Sequence, residues 1–474
     1  MIKNLRAFTF IFCFLTGTIS TKGQELVSSQ FLGQRPLVLI NFFDFPTPAI
    51  YPVDFYKITY TTTDTDGSQT VASGAVTIPV SNEVNSFPLT AYCHGTVLRR
   101  YDVPSAENFE SNILVALSSA GYIGIAPDYL GLGDDEGVHP YVHAESQATA
   151  TLDMIAATRE FLDTVEEEDN GQVFITGYSQ GGHAAMATLK YAQDNSLTDE
   201  IGLVAGAPLS GPYNMSGSQA DLILSDDPYS TPGYVIYLLV SYQSVYGNLY
   251  NELSDVIQEP YATDVAQYFD GEQDEDEMGV VNDLLPNNIS DFMQDSVLTN
   301  FENNPSHPLR VALEANDVFD WAPEFPLRMY YCDGDEQVAF ENSTSTTQIM
   351  IDNGAPDVDS ENVAPGANHG GCVLPALEAA YNFFETFANS LSTEDQNTNE
   401  LNVWPNPANS ILQVEFTKEI ELVSLFDLNG RLVKEEIINA RRFIWDTNDL
   451  PIGNYILVLN QTDQALRKLI SIQR

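Results

Sequence analysis

A serine between two glycines is the residue of this sequence with the clearest capacity for chemistry. Residues 177–181 read Gly-Tyr-Ser-Gln-Gly, which places Ser179 at the centre of a G-x-S-x-G pattern. The preceding residues 173–176 are apolar or β-branched, typical of a buried strand, and the Ala-rich residues 184–189 are typical of a helix. In a strand–turn–helix context this pattern forms a nucleophile elbow, which exposes the serine hydroxyl. The pentapeptide alone could equally be an ordinary glycine-rich turn.

A serine hydroxyl is a weak nucleophile at neutral pH. It needs a histidine to accept its proton and an acid to orient that histidine. With a nucleophile elbow the chain order is serine, acid, histidine, so His369 is the predicted base, because it alone follows the strand that would carry the acid. Asp335 is the predicted acid, since it follows a predicted strand ending at Cys332 and its D-x-x-V setting resembles the pattern common after such acids. Asp333 is the alternative.

A serine that attacks a carbonyl group creates an oxyanion, which needs backbone N–H groups aimed at it. The first predicted donor is Gln180, directly after Ser179. The second is Thr96, with Gly95 as the alternative, because His94-Gly95-Thr96 follows a predicted strand and resembles the HG-x loop of lipases. His94 is predicted to pack or to hydrogen-bond rather than to act as a second base. This set of residues requires no cofactor and no metal ion.

Alternating strands and helices are predicted to position these residues. The predicted strands are 36–42, 53–80 (two runs), 88–93, 122–126, 173–176, 201–207 and 327–332. The predicted helices are 112–120, 146–165, 184–189, 343–353 and 374–391. Such alternation predicts an α/β fold, a mostly parallel sheet with helices on both faces.

The alternation stops between about residues 212 and 325, where helix-like segments rich in Tyr, Asp, Asn and Leu follow one another. An insertion after a strand that ends near the serine is predicted to form a helical cap. An aromatic stripe in it is interpreted mainly as helix packing, with an acyl-chain pocket as the alternative. The stripe comprises Tyr234, Tyr237, Leu238, Tyr242 and Tyr246.

Both ends of the chain differ from its middle. Residues 1–23 combine a basic start, a short apolar core and small residues before a cleavage site, so they are predicted to be a secretory signal peptide. Residues 24–391 are the predicted catalytic domain. Residues 392–400 are polar and predicted to be a linker, and residues 401–474 have the short strands and turns of a small all-β domain.

Three of the four cysteines lie outside the predicted signal peptide. An odd number in an exported protein favours one disulfide and one free thiol among Cys93, Cys332 and Cys372. The alternative is three buried thiols. A disulfide between Cys332 and Cys372 would tie the loop of the predicted acid to that of the predicted base.

The chain is strongly acidic, with 19 Lys and Arg against 67 Asp and Glu and a formal net charge of −48. Such a surface repels nucleic acids and anionic membranes, so no nucleic-acid partner is predicted. No segment beyond the signal peptide is predicted to cross a membrane.

The central section, about residues 35–391, resembles the secretory lipase and related secreted esterase families of the α/β-hydrolase fold. The resemblance lies in residues 126–133 (Ala-Pro-Asp-Tyr-Leu-Gly-Leu-Gly), 139–143 (His-Pro-Tyr-Val-His), 177–183 (Gly-Tyr-Ser-Gln-Gly-Gly-His) and 332–335 (Cys-Asp-Gly-Asp). It implies a small ester or lipid substrate and a cap over the site. Two alternatives stay open: a serine peptidase of the prolyl-peptidase type, and a non-catalytic binding protein on a hydrolase fold.

Residues 401–408 (Leu-Asn-Val-Trp-Pro-Asn-Pro-Ala), 425–431 and 450–455 are similar to the C-terminal sorting domain of type IX secretion cargo. This resemblance implies the type IX secretion machinery as a partner and export across the outer membrane. The protein would then be secreted or held at the cell surface. The alternative is a carbohydrate-binding or adhesive β-module.

Overall fold

The computed structural model describes residues 25–40, 45–388, 402–427, 432–460 and 465–473, apart from residues 83, 85, 226 and 270–276. The predicted signal peptide and the predicted linker both lie outside the described residues. The chain divides into two compact units, Met1–Ser390 and Leu391–Arg474.

A nine-stranded sheet forms the centre of the first unit. Its strands are β1 (Leu26–Arg35), β2 (Val53–Thr63), β3 (Gln69–Pro79), β4 (Ser86–Cys93), β5 (Ile123–Pro127), β6 (Glu168–Tyr178), β7 (Leu203–Leu209), β8 (Leu327–Tyr331) and β9 (Val358–Asn362). They lie in the order β1-β2-β3-β5-β4-β6-β7-β8-β9. Pairing is antiparallel from β1 to β5 along this order and parallel from β5 to β9, which confirms the mostly parallel sheet.

The part of the chain that the structure describes contains thirteen α-helices. They are α1 (Leu37–Ile40), α2 (Phe109–Ser119), α3 (Ala144–Thr164), α4 (Gln180–Asp194), α5 (Thr198–Ile201), α6 (Ala220–Ile223), α7 (Gly233–Tyr246), α8 (Tyr261–Val265), α9 (Glu277–Leu284), α10 (Asp295–Asn303), α11 (Pro308–Ala315), α12 (Glu341–Asp352) and α13 (His369–Glu385).

Helices cover both faces of the sheet. On β6, Val173 and Ile175 pack into a core with residues of α3 and α4, whereas Phe174 between them packs with residues of α2 and α13. Neighbouring residues of a strand point to opposite faces, so the two cores lie on opposite sides of the sheet. Burial on both faces explains why these strands read as continuous apolar runs.

The prediction of a strand at residues 36–42 is wrong for residues 36–40, and residues 41 and 42 lie outside the described residues. The strand that pairs with β2 at this edge is β1, and Pro36 instead begins a helical turn, because Leu39 N–H and Ile40 N–H both donate to Pro36 O. Proline suits the start of a helix, since its missing N–H group would have no partner there. Val38 is 81% exposed, so the apolar run is not a core strand.

The cap consists of α6 to α11, between β7 and β8, as the break in alternation predicts. It has an apolar core of its own, which includes Ile236, Ile257 and Phe292. Tyr237 and Tyr242 from the aromatic stripe are buried in this core, so the packing interpretation holds for them.

The second unit is an antiparallel sheet of five strands, in agreement with the predicted all-β character. The strands are β10 (Asn402–Trp404), β11 (Ile411–Asp427), β12 (Leu432–Asp446), β13 (Gly453–Asn460) and β14 (Ala465–Ile472). Its apolar core contains Leu412, Val414, Leu425, Trp445 and Leu457.

The predicted site residues follow strands that end at the same edge of the central sheet. Cys93 of β4 pairs with Gly177 of β6, and Leu209 of β7 pairs with Tyr330 of β8. In α/β sheets ligands bind at the carboxyl ends of the strands, so this edge is where a site is expected.

Candidate active site

Ser179 occupies the sharp turn between β6 and α4. Its backbone has φ 62° and ψ −122°, a region that non-glycine residues rarely adopt and that often marks a functional site. Its N–H donates to Leu209 O at 3.0 Å, which ties the turn to the end of β7.

The turn has no room for side chains on either flanking glycine. A Cβ atom at Gly177 would lie 2.3 Å from Gly181 O, and one at Gly181 would lie 2.0 Å from Cys93 O. Backbone atoms cannot yield at such distances, so both positions require glycine. This crowding is the physical reason for the G-x-S-x-G pattern.

Asp335 and His369 are in direct contact. His369 Nδ1 lies 2.7 Å from Asp335 Oδ2, and the two side chains are only 9% and 2% exposed. The other carboxylate oxygen accepts the N–H groups of Gln337 and Val338 at 3.0 and 2.9 Å. Asp335 is therefore a buried, fully hydrogen-bonded carboxylate that fixes the imidazole ring through Nδ1.

His369 is the first residue of α13 and is buried, whereas the glycines around it favour an exposed loop from sequence. Asn368 explains the helix start, because its side chain accepts Gly371 N–H in the first turn. The predicted helix 374–391 therefore begins five residues earlier than expected.

The alternative acid, Asp333, binds a different group. Its Oδ1 accepts Gly366 N–H at 2.6 Å, and this backbone hydrogen bond lowers the pKa of Asp333. Sequence reasoning missed Glu336, whose Oε2 accepts the backbone N–H of His369 at 3.0 Å. The acid loop thus holds the histidine loop by its backbone as well as by the ring.

Cys332 and Cys372 form a disulfide, with their Cα atoms 5.9 Å apart, and Cys93 is a buried free thiol. This confirms one pair and one free thiol. Burial raises the pKa of Cys93 to about 12, so this thiol stays protonated at physiological pH.

Tyr178 connects the elbow to the histidine. Its hydroxyl donates to His369 O at 2.6 Å, and the two rings are 5.0 Å apart. Burial raises the pKa of Tyr178, which keeps the donor proton in place. The structure therefore brings Asp335 and His369 into direct contact, and Tyr178, the residue before Ser179 in the chain, contacts His369. Within the described residues, no hydrogen bond joins Ser179 Oγ to His369.

The backbone N–H groups of Gln180 and Thr96 have no acceptor among the residues that the structure describes. The side chain of Gln180 is occupied elsewhere, because its Nε2 lies 2.8 Å from His139 Nε2. Burial lowers the pKa of His139 to about 3, and its Nδ1 lies 2.7 Å from Leu130 O, so the neutral ring accepts from Gln180. Gly95 N–H, the alternative to Thr96, is already bound by Glu110.

A cavity of about 40 Å³ borders Ser179 and Gln180. Its other polar lining residues are Tyr141, Gln219, Tyr229, Tyr234 and Gln337. A second cavity of about 50 Å³, lined only by apolar side chains, lies within the cap. The two cavities share four lining residues: Met215, Ile223, Val235 and Leu238. An apolar space in the cap therefore adjoins the space next to the serine.

Within the described ranges, no group of three or more His, Cys, Asp and Glu residues is arranged to hold a metal ion. No helix in the described part of the chain combines the length and the apolar character needed to span a bilayer.

The model of the secretory lipase family matches residues 104–369, which is more than half of the chain. The chain belongs to the secretory lipase family. Its fold is the α/β-hydrolase fold, and it is a secreted carboxylic ester hydrolase. The secretion system C-terminal sorting domain matches residues 402–473, nearly the whole second unit, and indicates export by the type IX machinery.

Solved structures support this family assignment. A ligand-bound form of the rice cell wall degrading esterase LipA from Xanthomonas oryzae is 30% identical, with a TM-score of 0.68 over 77% of this chain and 97% of that chain. A putative hydrolase from Legionella pneumophila is 25% identical, with a TM-score of 0.71 over 77% and 98%. Candida antarctica lipase A in its closed state, 15% identical with a TM-score of 0.56 over 76% and 82%, shares the fold. No curated protein sequence matches the chain.

Proposed function

We propose that the protein cleaves esters through a covalent acyl-enzyme formed on Ser179. Ser179 Oγ attacks the ester carbonyl carbon while His369 Nε2 takes the hydroxyl proton, and the alcohol leaves with that proton when the tetrahedral intermediate collapses. Water then attacks the acyl-enzyme, His369 again accepts and returns a proton, and the acid is released. Asp335 holds the imidazole tautomer and stabilises the imidazolium form.

The contact between His369 Nδ1 and Asp335 Oδ2, at 2.7 Å, carries this proposal. A hydrogen on Nδ1 leaves the lone pair of the neutral ring on Nε2, which is the arrangement a general base needs. The serine–histidine hydrogen bond would form on substrate binding, since such contacts are often long in unliganded enzymes.

The proposed oxyanion hole consists of the backbone N–H groups of Gln180 and Thr96. Both are free of acceptors within the described residues, and Gln180 begins helix α4, whose N-terminal partial positive charge favours an oxyanion. Gly95 is the weaker choice for the second donor, because its N–H already has a carboxylate partner.

We propose that the acyl chain of the ester or lipid substrate enters the apolar cavity of the cap. Val235 and Leu238 border both this cavity and the space beside Ser179, so a chain attached to the serine would meet apolar side chains. Export would use residues 1–23 as the signal peptide and the second unit as the sorting domain read by the type IX machinery.

The test is hydrolysis of p-nitrophenyl esters from short to long acyl chains by the full-length mature protein and by Ser179→Ala. The variant should lose roughly 10³- to 10⁶-fold in rate. A p-nitroanilide substrate containing proline, run alongside, measures amide cleavage. Equal ester hydrolysis by both proteins would contradict the mechanism, and preference for the anilide would favour the peptidase alternative.

A further inference from the structure

The two peptide units that flank the Gly95 Cα atom are each held by a side chain. Gly95 N–H lies 3.0 Å from each carboxylate oxygen of Glu110, and Gly95 O lies 2.8 Å from His94 Nδ1. A Cβ atom at Gly95 would lie 2.9 Å from Glu110 Oε1, so a side chain there would displace the carboxylate from its present position. The backbone on both sides of the Gly95 Cα atom is therefore fixed by side chains.

These contacts determine where Thr96 N–H points. In a trans peptide the C=O of one residue and the N–H of the next point in opposite directions. With Gly95 O held against the His94 ring, Thr96 N–H is directed away from that ring. This N–H has no acceptor within the described residues, so it is available to donate to a ligand oxygen.

The two side chains are themselves held in place. Glu110 lies in the first turn of α2 and accepts the hydroxyl of Tyr92 at 2.8 Å. His94 is fully buried, and its ring lies 4.3 Å from the ring of Tyr129, tilted by 30°. Preorganised donors of this kind lower the barrier because they need no reorganisation as charge develops.

We propose that Glu110 and His94 are positioning residues that aim Thr96 N–H at the oxyanion. Neither is placed at the reacting atoms: Glu110 acts through Gly95 N–H, in the peptide before Gly95, and His94 acts through Gly95 O, in the Gly95–Thr96 peptide. This inference rests on the proposed function, because it assigns a role within the same acyl transfer.

The test compares Glu110→Ala with wild type in ester hydrolysis and in binding of an aliphatic trifluoromethyl ketone, which adds to the serine as a tetrahedral adduct. Losing a well-aimed donor weakens transition-state binding but not substrate binding. We expect kcat to fall about 10- to 100-fold, KM to stay within about twofold, and Ki for the ketone to rise by the same factor as kcat/KM falls.

Glu385→Ala is the matched control. Glu385 also accepts a tyrosine hydroxyl, that of Tyr122 at 2.7 Å, but it belongs to the far end of α13. Its loss should leave kcat and Ki unchanged. Glu110→Gln keeps one oxygen that can accept Gly95 N–H, so it should recover most of the activity. It also serves as the test if Glu110→Ala fails to fold.

Unchanged kcat in Glu110→Ala, or a fall in kcat without a matching rise in Ki, would overturn the inference. If Glu110→Ala folds poorly, Glu110→Gln is used instead. In that variant, a fall in kcat with the ketone Ki still at the wild-type value would overturn the inference. If wild type and Ser179→Ala hydrolyse esters equally, the proposed function itself fails, which is a separate result.

Discussion

Asp335 and Asp333 are two carboxylates two residues apart in the chain, and they bind different partners in the structure. Asp335 contacts the imidazole of His369, whereas Asp333 binds the backbone of Gly366. Replacing Asp335 by Asn presents an amide to Nδ1, which favours the wrong tautomer of the histidine. We expect Asp335→Asn to lose about 10⁴-fold in kcat at pH 7, as expected for the orienting acid of a triad.

Asp333→Asn is the matched control, because it is the same substitution two residues away. It removes a charge-assisted hydrogen bond to an exposed loop and should change kcat by less than about tenfold. Steady-state kinetics on one p-nitrophenyl ester compares the two. A larger loss in Asp333→Asn than in Asp335→Asn would reverse the assignment.

A sequence motif and chain order single out the proposed catalytic residues, but not the residues that hydrogen-bond to them or to their neighbours. Ser179 is identified by a local motif and His369 by its order along the chain, and both features can be read from the sequence. Glu110, Glu336 and Tyr178 act through contacts with Gly95 or His369 that depend on the packing of distant segments. No spacing along the chain reveals such contacts.

The helices of the cap determine how much space lies beyond the serine. Leu238 lies on α7 between the cavity beside Ser179 and the apolar cavity, so a larger side chain there should separate them. We expect Leu238→Trp to keep activity on acetyl esters and to lose about tenfold or more in kcat/KM on octanoyl esters, because the chain loses its apolar contacts.

Leu284→Trp provides the comparison, because Leu284 is an exposed leucine of cap helix α9 that borders neither cavity. It should leave the profile of kcat/KM against acyl length unchanged. Identical profiles for Leu238→Trp and wild type would show that the acyl chain binds elsewhere.

The elements were predictable to different degrees. Buried parallel strands are apolar on both faces, and this pattern identified β4 to β8 from sequence. The edge of the sheet was not predictable in the same way, because β1 is mostly exposed and carries no apolar alternation. The cap was recognised only as a break in the pattern, since its helices pack mainly on one another.

In the described part of the first unit, four buried histidines whose pKa is lowered by burial make stability depend on pH, and His307 is one of them. Burial lowers the pKa of His139 to about 3 and those of His143 and His183 to about 4. Unfolded histidine titrates near pH 6.5, so below that pH the unfolded chain binds protons that the folded chain does not. Stability should therefore fall on acidification from pH 7, by up to about 1.4 kcal/mol per pH unit for each histidine.

Urea unfolding between pH 5.5 and 7 measures this slope. His183→Gln removes one of the four groups and should reduce the slope by about a quarter to a third, whatever its effect on stability at pH 7. Burial raises the pKa of Asp128, which acts in the opposite direction on acidification, so the range is kept well above the usual pKa of a carboxyl group. Equal slopes in the two proteins would show that folding does not lower the pKa of His183.

Active-site labelling reports on whether Ser179 forms the covalent intermediate. The mature protein is treated with a fluorophosphonate, which reacts with an activated serine by loss of fluoride to give a tetrahedral phosphonyl ester, and the labelled peptides are analysed by mass spectrometry. We expect one adduct per chain on the peptide containing Ser179, its loss in Ser179→Ala, and slow labelling in Asp335→Asn. An adduct on another residue, or full ester hydrolysis by a protein that cannot be labelled at Ser179, would contradict a covalent intermediate on Ser179.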